Sequence, residues 1–196
     1  MAAPCMPALY PPWSNAVLRI VASLGAIGIL GVPVGLMVFM RTPYVTEQDQ
    51  PLEQPVMFDH RHHASDDGID CQYCHATADR ARSAGMPSTE TCMGCHGQIW
   101  TDSPLLEPVR RSWADKTPIV WRRVHRLPDF VRFDHGSHVA VGVLCKDCHG
   151  EVERMAEVRV VSPLQMRWCI GCHRDPQGTT GRALPKPRTD CTVCHM

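Results

Sequence analysis

Ten of the eleven cysteines in this 196-residue chain fall into five pairs, each spaced CxxC and each followed at once by histidine. They read CQYCH (Cys71, Cys74, His75), CMGCH (Cys92, Cys95, His96), CKDCH (Cys145, Cys148, His149), CIGCH (Cys169, Cys172, His173) and CTVCH (Cys191, Cys194, His195). Two thiols at i and i+3 share one face of a helical turn, so both can reach the same edge of a flat ligand. The next residue then swings its imidazole beneath that ligand's centre. This is the chemistry of c-type haem: two thioether links to vinyl-derived carbons and a proximal nitrogen on iron. Zinc ribbons also use CxxC, but they do not require histidine directly after every pair. A disulfide framework leaves the five adjacent histidines without a role. The pattern therefore predicts five covalently bound haem c groups.

Iron in such a group takes a second axial ligand, and the sequence shows where to look. FDHRHHASDDGIDCQYCH (58–75) and FDHGSHVAVGVLCKDCHG (133–150) both carry FDHxxH, then glycine (Gly68, Gly142), then CxxCH. Each is followed by a further motif, CMGCH starting 21 residues after Cys71 and CIGCH starting 24 after Cys145. This is a duplicated two-haem unit, spanning about 58–96 and 133–173, with a period of about 75 residues and the fifth motif (191–195) added at the C-terminal side. His135 and His138, one turn apart, can point at two different irons. His135 is expected to cap the Cys145/Cys148 haem and His138 the Cys169/Cys172 haem. By the repeat, His60 serves the Cys71/Cys74 haem and His63 the Cys92/Cys95 haem. His62 has Ser137 as its counterpart and reads as a surface histidine. His125 falls to the last haem by elimination, with Met155 and Met166 as the methionine alternatives.

The elements that hold these residues must be modest. Aromatic residues make up 6% of the chain while prolines number 17, which is poor material for a core of regular elements. The expected fold is mainly short α-helices and loops around covalent haems, plus one N-terminal transmembrane helix. The net charge of +0 offers no nucleic-acid footprint. Residues 20–40, IVASLGAIGILGVPVGLMVFM, carry no charge and are long enough to span a bilayer. The run ends in VFMRTP rather than at a small-residue cleavage site, which favours an anchor over a signal peptide. Because haem c is attached outside the bacterial cytoplasmic membrane, the expected layout is a cytoplasmic tail (1–15), a single span (16–40), a linker (41–56) and a periplasmic haem domain (57–196). Cys5, in the tail, is expected to have no role. The glycines of the span suit either helix–helix packing or the ordinary composition of membrane helices. Six arginines between Arg110 and Arg132 suit haem propionates, an acidic partner, or a solvated connecting loop.

FDHxxH followed by CxxCH looks like the class III cytochrome c group. The longer run from WRRVHRLPDF (121–130) through CKDCHG (145–150) to CIGCHRDP (169–176), with the anchor and five motifs, resembles the pentahaem subunit of alternative complex III. That is a bacterial quinol-oxidising membrane complex. The resemblance implies partners in one assembly: polytopic quinol-binding subunits, an iron–sulfur subunit and a monohaem cytochrome. It implies an electron relay toward a periplasmic acceptor, with no catalytic site of its own. A related quinone-reducing complex, carrying a similar multihaem subunit, is the nearest alternative, and a single-span quinol dehydrogenase the next. A multihaem enzyme such as a nitrite reductase would demand a five-coordinate iron, whereas here the supply of distal ligands matches the demand.

Overall fold

The structure is a computed structural model and describes residues 10–195. Cys5 and most of the expected cytoplasmic tail lie outside the described residues. The chain divides into two units, Met1–Thr46 and Glu47–Met196.

In the first unit, α1 (Ser14–Phe39) is a helix of 26 residues with no buried side chain. At about 1.5 Å per residue it is about 39 Å long, more than the ~30 Å hydrocarbon thickness of a bilayer. Its length and apolar composition suit a membrane span, and a signal sequence would show the same features. Pro33 lies inside it. At its end, Arg41 donates to the Met37 carbonyl (2.8 Å) and the Thr42 hydroxyl to that of Phe39 (2.7 Å). A single turn, α2 (Pro43–Thr46), follows.

The second unit is built from short helices: α3 (Cys71–Cys74), α4 (Thr89–His96), α5 (Glu107–Asp115), α6 (His135–Ala140), α7 (Cys145–His149), α8 (Met166–Arg174), α9 (Pro176–Thr180) and α10 (Cys191–Cys194). Among the described residues β-structure is limited to isolated bridges, Gln48 to Val160, Pro51 to Arg159 and Val131 to His195. Local sequence explains the helix starts. Asp70 caps α3 by accepting from the Gln72 N–H (2.8 Å), and Asp134 caps α6 by accepting from that of Ser137 (2.8 Å). α5 carries Pro108 in its first turn and ends at Lys116, which adopts a left-handed conformation. It docks on α4 through Ser112, which is hydrogen-bonded to the Thr89 hydroxyl (2.6 Å).

The two repeats differ by one residue, and the backbone shows where it goes. Phe58 to Cys71 spans 13 positions, whereas Phe133 to Cys145 spans 12. The extra residue lies between His63 and Gly68, and there the first repeat forms a π-helical turn, Arg61–Asp66, in place of α6. Beyond it both chains turn on a glycine with positive φ, Gly68 at 67° and Gly142 at 89°. The repeats are stitched together at Gly136, whose N–H donates to the Ala81 carbonyl (3.1 Å), while that of His135 donates to Arg82 (3.3 Å). A Cβ on Gly136 would stand 3.1 Å from the Arg80 carbonyl carbon, so any larger residue would push this backbone back by a few tenths of an ångström.

Side chains alone supply little core. Among the described residues the buried apolar side chains are Val56, Ala78, Val109, Met155 and Val160, and none is completely enclosed. A unit of this size needs far more buried apolar area to offset its chain entropy. Covalently attached porphyrins fit that requirement.

Candidate haem sites

All five CxxC pairs lie on helical turns, in α3, α4, α7, α8 and α10, and none of the ten cysteines is in a disulfide. Burial pushes the thiols of Cys71, Cys74, Cys92, Cys169 and Cys172 up, and that of Cys148 up to about 11. Several also have a thiol from another motif as neighbour, which adds to the rise. Cys71 meets Cys145, Cys74 meets Cys95, and Cys92 meets Cys74. Cys148 meets Cys172 and Cys169, and Cys169 meets Cys194. The motifs thus adjoin in the order second, first, third, fourth, fifth. The stitch between Gly136 and Ala81 joins the first and third independently. A hydrogen bond from the Arg132 N–H to the Cys194 carbonyl (2.7 Å) ties the fifth to the second repeat.

The imidazoles are paired across the positions where iron would sit. The ring centroids of His63 and His96 are 6.1 Å apart, those of His138 and His173 6.1 Å, and those of His135 and His149 6.2 Å. Two imidazoles on one metal ion, each nitrogen about 2 Å from it, place their ring centres about 6 Å apart. His60 lies near His75 and His63. Burial first, then these two neighbours, lower its pKa to about 4. His149 is likewise lowered to about 4, by burial and then by His125, His135 and His75. Buried and neutral, both offer a nitrogen lone pair with no proton to displace.

What stands behind each ring fixes which nitrogen is offered. The Nδ1 atoms of His75, His173, His63, His135 and His138 lie 2.7–3.0 Å from the backbone carbonyls of Gly85, Arg188, Asp59, Arg82 and Asp134 respectively. That of His96 is 3.4 Å from Ile99. A carbonyl only accepts, so each Nδ1 carries the proton and Nε2 is left for metal.

His125, assigned from the sequence to the last haem, sits elsewhere. Its Nε2 lies 3.2 Å from the Nδ1 of His149, with the rings edge-on at 4.3 Å and 88°. The elimination counted imidazoles as axial ligands only, and a ring can also stand behind another ligand. His195 instead has Phe130 stacked beside it at 5.9 Å and 25°. His62 remains at the surface, stacked on Trp100 (5.4 Å) and 3.6 Å from the Asp66 carboxylate. Met155 is buried beside Gly150, and Met166 is exposed at the start of α8. Of the arginines between the repeats, Arg110 is engaged with Thr101, Ser103 and Glu107, and Arg122 with Glu53 and Gln54. Another arginine suits an anionic group better. Arg182 pairs with Asp147, and its buried Nε has no partner among the described residues. A haem carboxylate is the kind of acceptor such a donor fits.

Two sets of contributors were not read from the sequence. Phe58 and Phe133 stack on His63 and His138 (4.3 and 4.5 Å, both 26°) and stand edge-on to His60 and His135 (both 4.8 Å). Their recurrence in FDHxxH was a signal that could have marked them. The carbonyl acceptors left no such signal, since any residue supplies one.

Comparison with known proteins agrees with this geometry. Residues 38–105 match the class III cytochrome C family, and residues 131–196 match cytochrome c7 and related cytochrome c. The chain is also similar to the multiheme cytochrome c subunit of menaquinone reductase from Nitratidesulfovibrio vulgaris, at 34% identity over 107 residues. The match covers 52% of this chain and 48% of that protein, so the chain spans about half the length of the curated relative. Two separate stretches of the chain thus match families of multihaem c-type cytochromes, electron-transfer proteins that carry covalently bound haem c.

Proposed function

We propose that this chain is a membrane-anchored pentahaem cytochrome that relays electrons inside a quinol-oxidising membrane complex of the alternative complex III kind, toward a periplasmic acceptor. The observation that carries the reading is the set of three imidazole pairs spaced 6.1–6.2 Å, a spacing that would hold an iron from both sides and leave it no position for substrate. When bound, haem c accepts and releases one electron at a time at its iron. The protein's part is to hold and tune. The ten motif cysteines fix the five groups, and His75, His96, His149, His173 and His195 serve as proximal ligands. His60, His63, His135 and His138 serve as distal ligands. The backbone carbonyls behind His63, His75, His96, His135, His138 and His173 hold those rings in one tautomer and would strengthen their donation to the metal. The neighbouring thiols support a relay running second, first, third, fourth, fifth.

The layout in this reading is a cytoplasmic tail (1–15), a span (16–40), a linker (41–56) and a periplasmic haem domain (57–196). Quinol chemistry itself belongs to polytopic partners, alongside an iron–sulfur subunit and a monohaem cytochrome. Similarity to the menaquinone reductase subunit favours a second reading, in which the same array delivers electrons to menaquinone. Stopped-flow mixing of the purified complex with menaquinol under anaerobic conditions separates the two. Prompt reduction of the haem c α-band, reversed by an oxidised periplasmic carrier, supports quinol oxidation. No reduction by menaquinol, but fast oxidation of pre-reduced haems by menaquinone, supports the reverse direction.

A further inference from the structure

His149 stands apart among the motif histidines. The rings of His75, His96 and His173 are backed by backbone carbonyls, whereas the Nδ1 of His149 faces the Nε2 of another imidazole, His125, at 3.2 Å. The two rings meet edge-on at 88°, so that the N–H in one ring plane can point at the lone pair in the other. On its far side His149 lies parallel to His135, 6.2 Å away and tilted by only 6°. If Nε2 of His149 is given to iron, its Nδ1 must carry the proton, and His125 must accept it with its own proton on Nδ1.

We infer that His125 is a positioning residue for the third haem, which accepts a hydrogen bond from His149 and sets the electron-donating strength of that ligand, and that it is not an axial ligand of the fifth. This rests on the reading of His149 as a proximal ligand. An imidazole nitrogen is a more basic acceptor than a peptide carbonyl. It draws the Nδ1 proton outward and pushes electron density through the ring to the metal, favouring the oxidised state. The third haem stands at the middle of the array, where the two repeats join. A ligand strengthened there sets the step between them.

The test uses the full-length holoprotein in detergent. Wild type, His125→Ala, His125→Asn and His149→Ala are compared by potentiometric titration of the haem bands and by electron paramagnetic resonance. His125→Ala is expected to keep the wild-type number of low-spin haems while one reduction wave moves to higher potential. His125→Asn, whose side-chain oxygen still accepts, should return that wave toward wild type and serves where the alanine variant does not accumulate. A new high-spin, CO-binding haem in either variant would make His125 an axial ligand and overturn the inference. Unchanged waves in both variants would overturn it as well. His149→Ala separates the premise from the inference: if it leaves every haem low-spin, the ligation of His149 is what fails.

Discussion

The two FDHxxH repeats carry their first and last histidines at the same spacing and differ in what stands behind the rings. In both, phenylalanine stacks on the second histidine and stands edge-on to the first. In both, the carbonyl of the FDH aspartate lies behind the second ring. Behind the first ring they part. His135 has the Arg82 carbonyl at 2.7 Å, whereas the Nδ1 of His60 is buried with no partner among the described residues. The proximal rings differ too, with the Gly85 carbonyl behind His75 and His125 behind His149. Duplication has kept the histidines and varied their surroundings. Near-identical haem sites can thereby acquire different potentials, and a relay needs such differences to give direction.

The comparison can be broken most severely by removing a haem from one repeat. Cys145→Ala with Cys148→Ala should prevent accumulation of folded holoprotein, because side chains alone provide almost no core. The matching change at Cys71 and Cys74 should do the same, and quantitative haem staining of membranes reads both outcomes. Next in size are the distal ligands. His63→Ala and His138→Ala should each convert one haem to a high-spin, CO-binding form while the others stay low-spin, as seen by optical difference spectra. A variant that stays wholly low-spin would remove that histidine from the ligand set.

Smaller effects probe the joint between the repeats. Gly136→Ala forces a Cβ against the Arg80–Ala81 backbone and should cost about 1–3 kcal/mol in thermal or denaturant unfolding. Its counterpart in the first repeat is Arg61, an exposed residue paired only with Asp59. Arg61→Ala should leave the unfolding midpoint close to that of wild type. Equal costs at the two positions would mean that the close approach at Gly136 is not what joins the repeats.

How much of this was legible depended on whether a feature is local. CxxCH announces itself because its chemistry needs three side chains within one turn. The pairings proposed for His63, His135 and His138 came from counting along a repeated segment. The π-turn at Arg61–Asp66 was readable in principle as a one-residue insertion, although its backbone form was not. The position of His125 could not be read, because it depends on the chain folding back across the 24 residues that separate it from His149. The carbonyls behind the other rings are equally silent in sequence, since every residue carries one.

The central proposal is that paired histidines hold four of the irons, three pairs with ring centroids 6.1–6.2 Å apart and His60 with His75 as the fourth, leaving the haem of His195 without a histidine partner among the described residues. Carbon monoxide titration of the dithionite-reduced holoprotein tests this most directly, with haem counted on the same sample. The account predicts five haems per chain and uptake of no more than one CO. Uptake of two or more would contradict it, because an iron held between two imidazoles has no position to give.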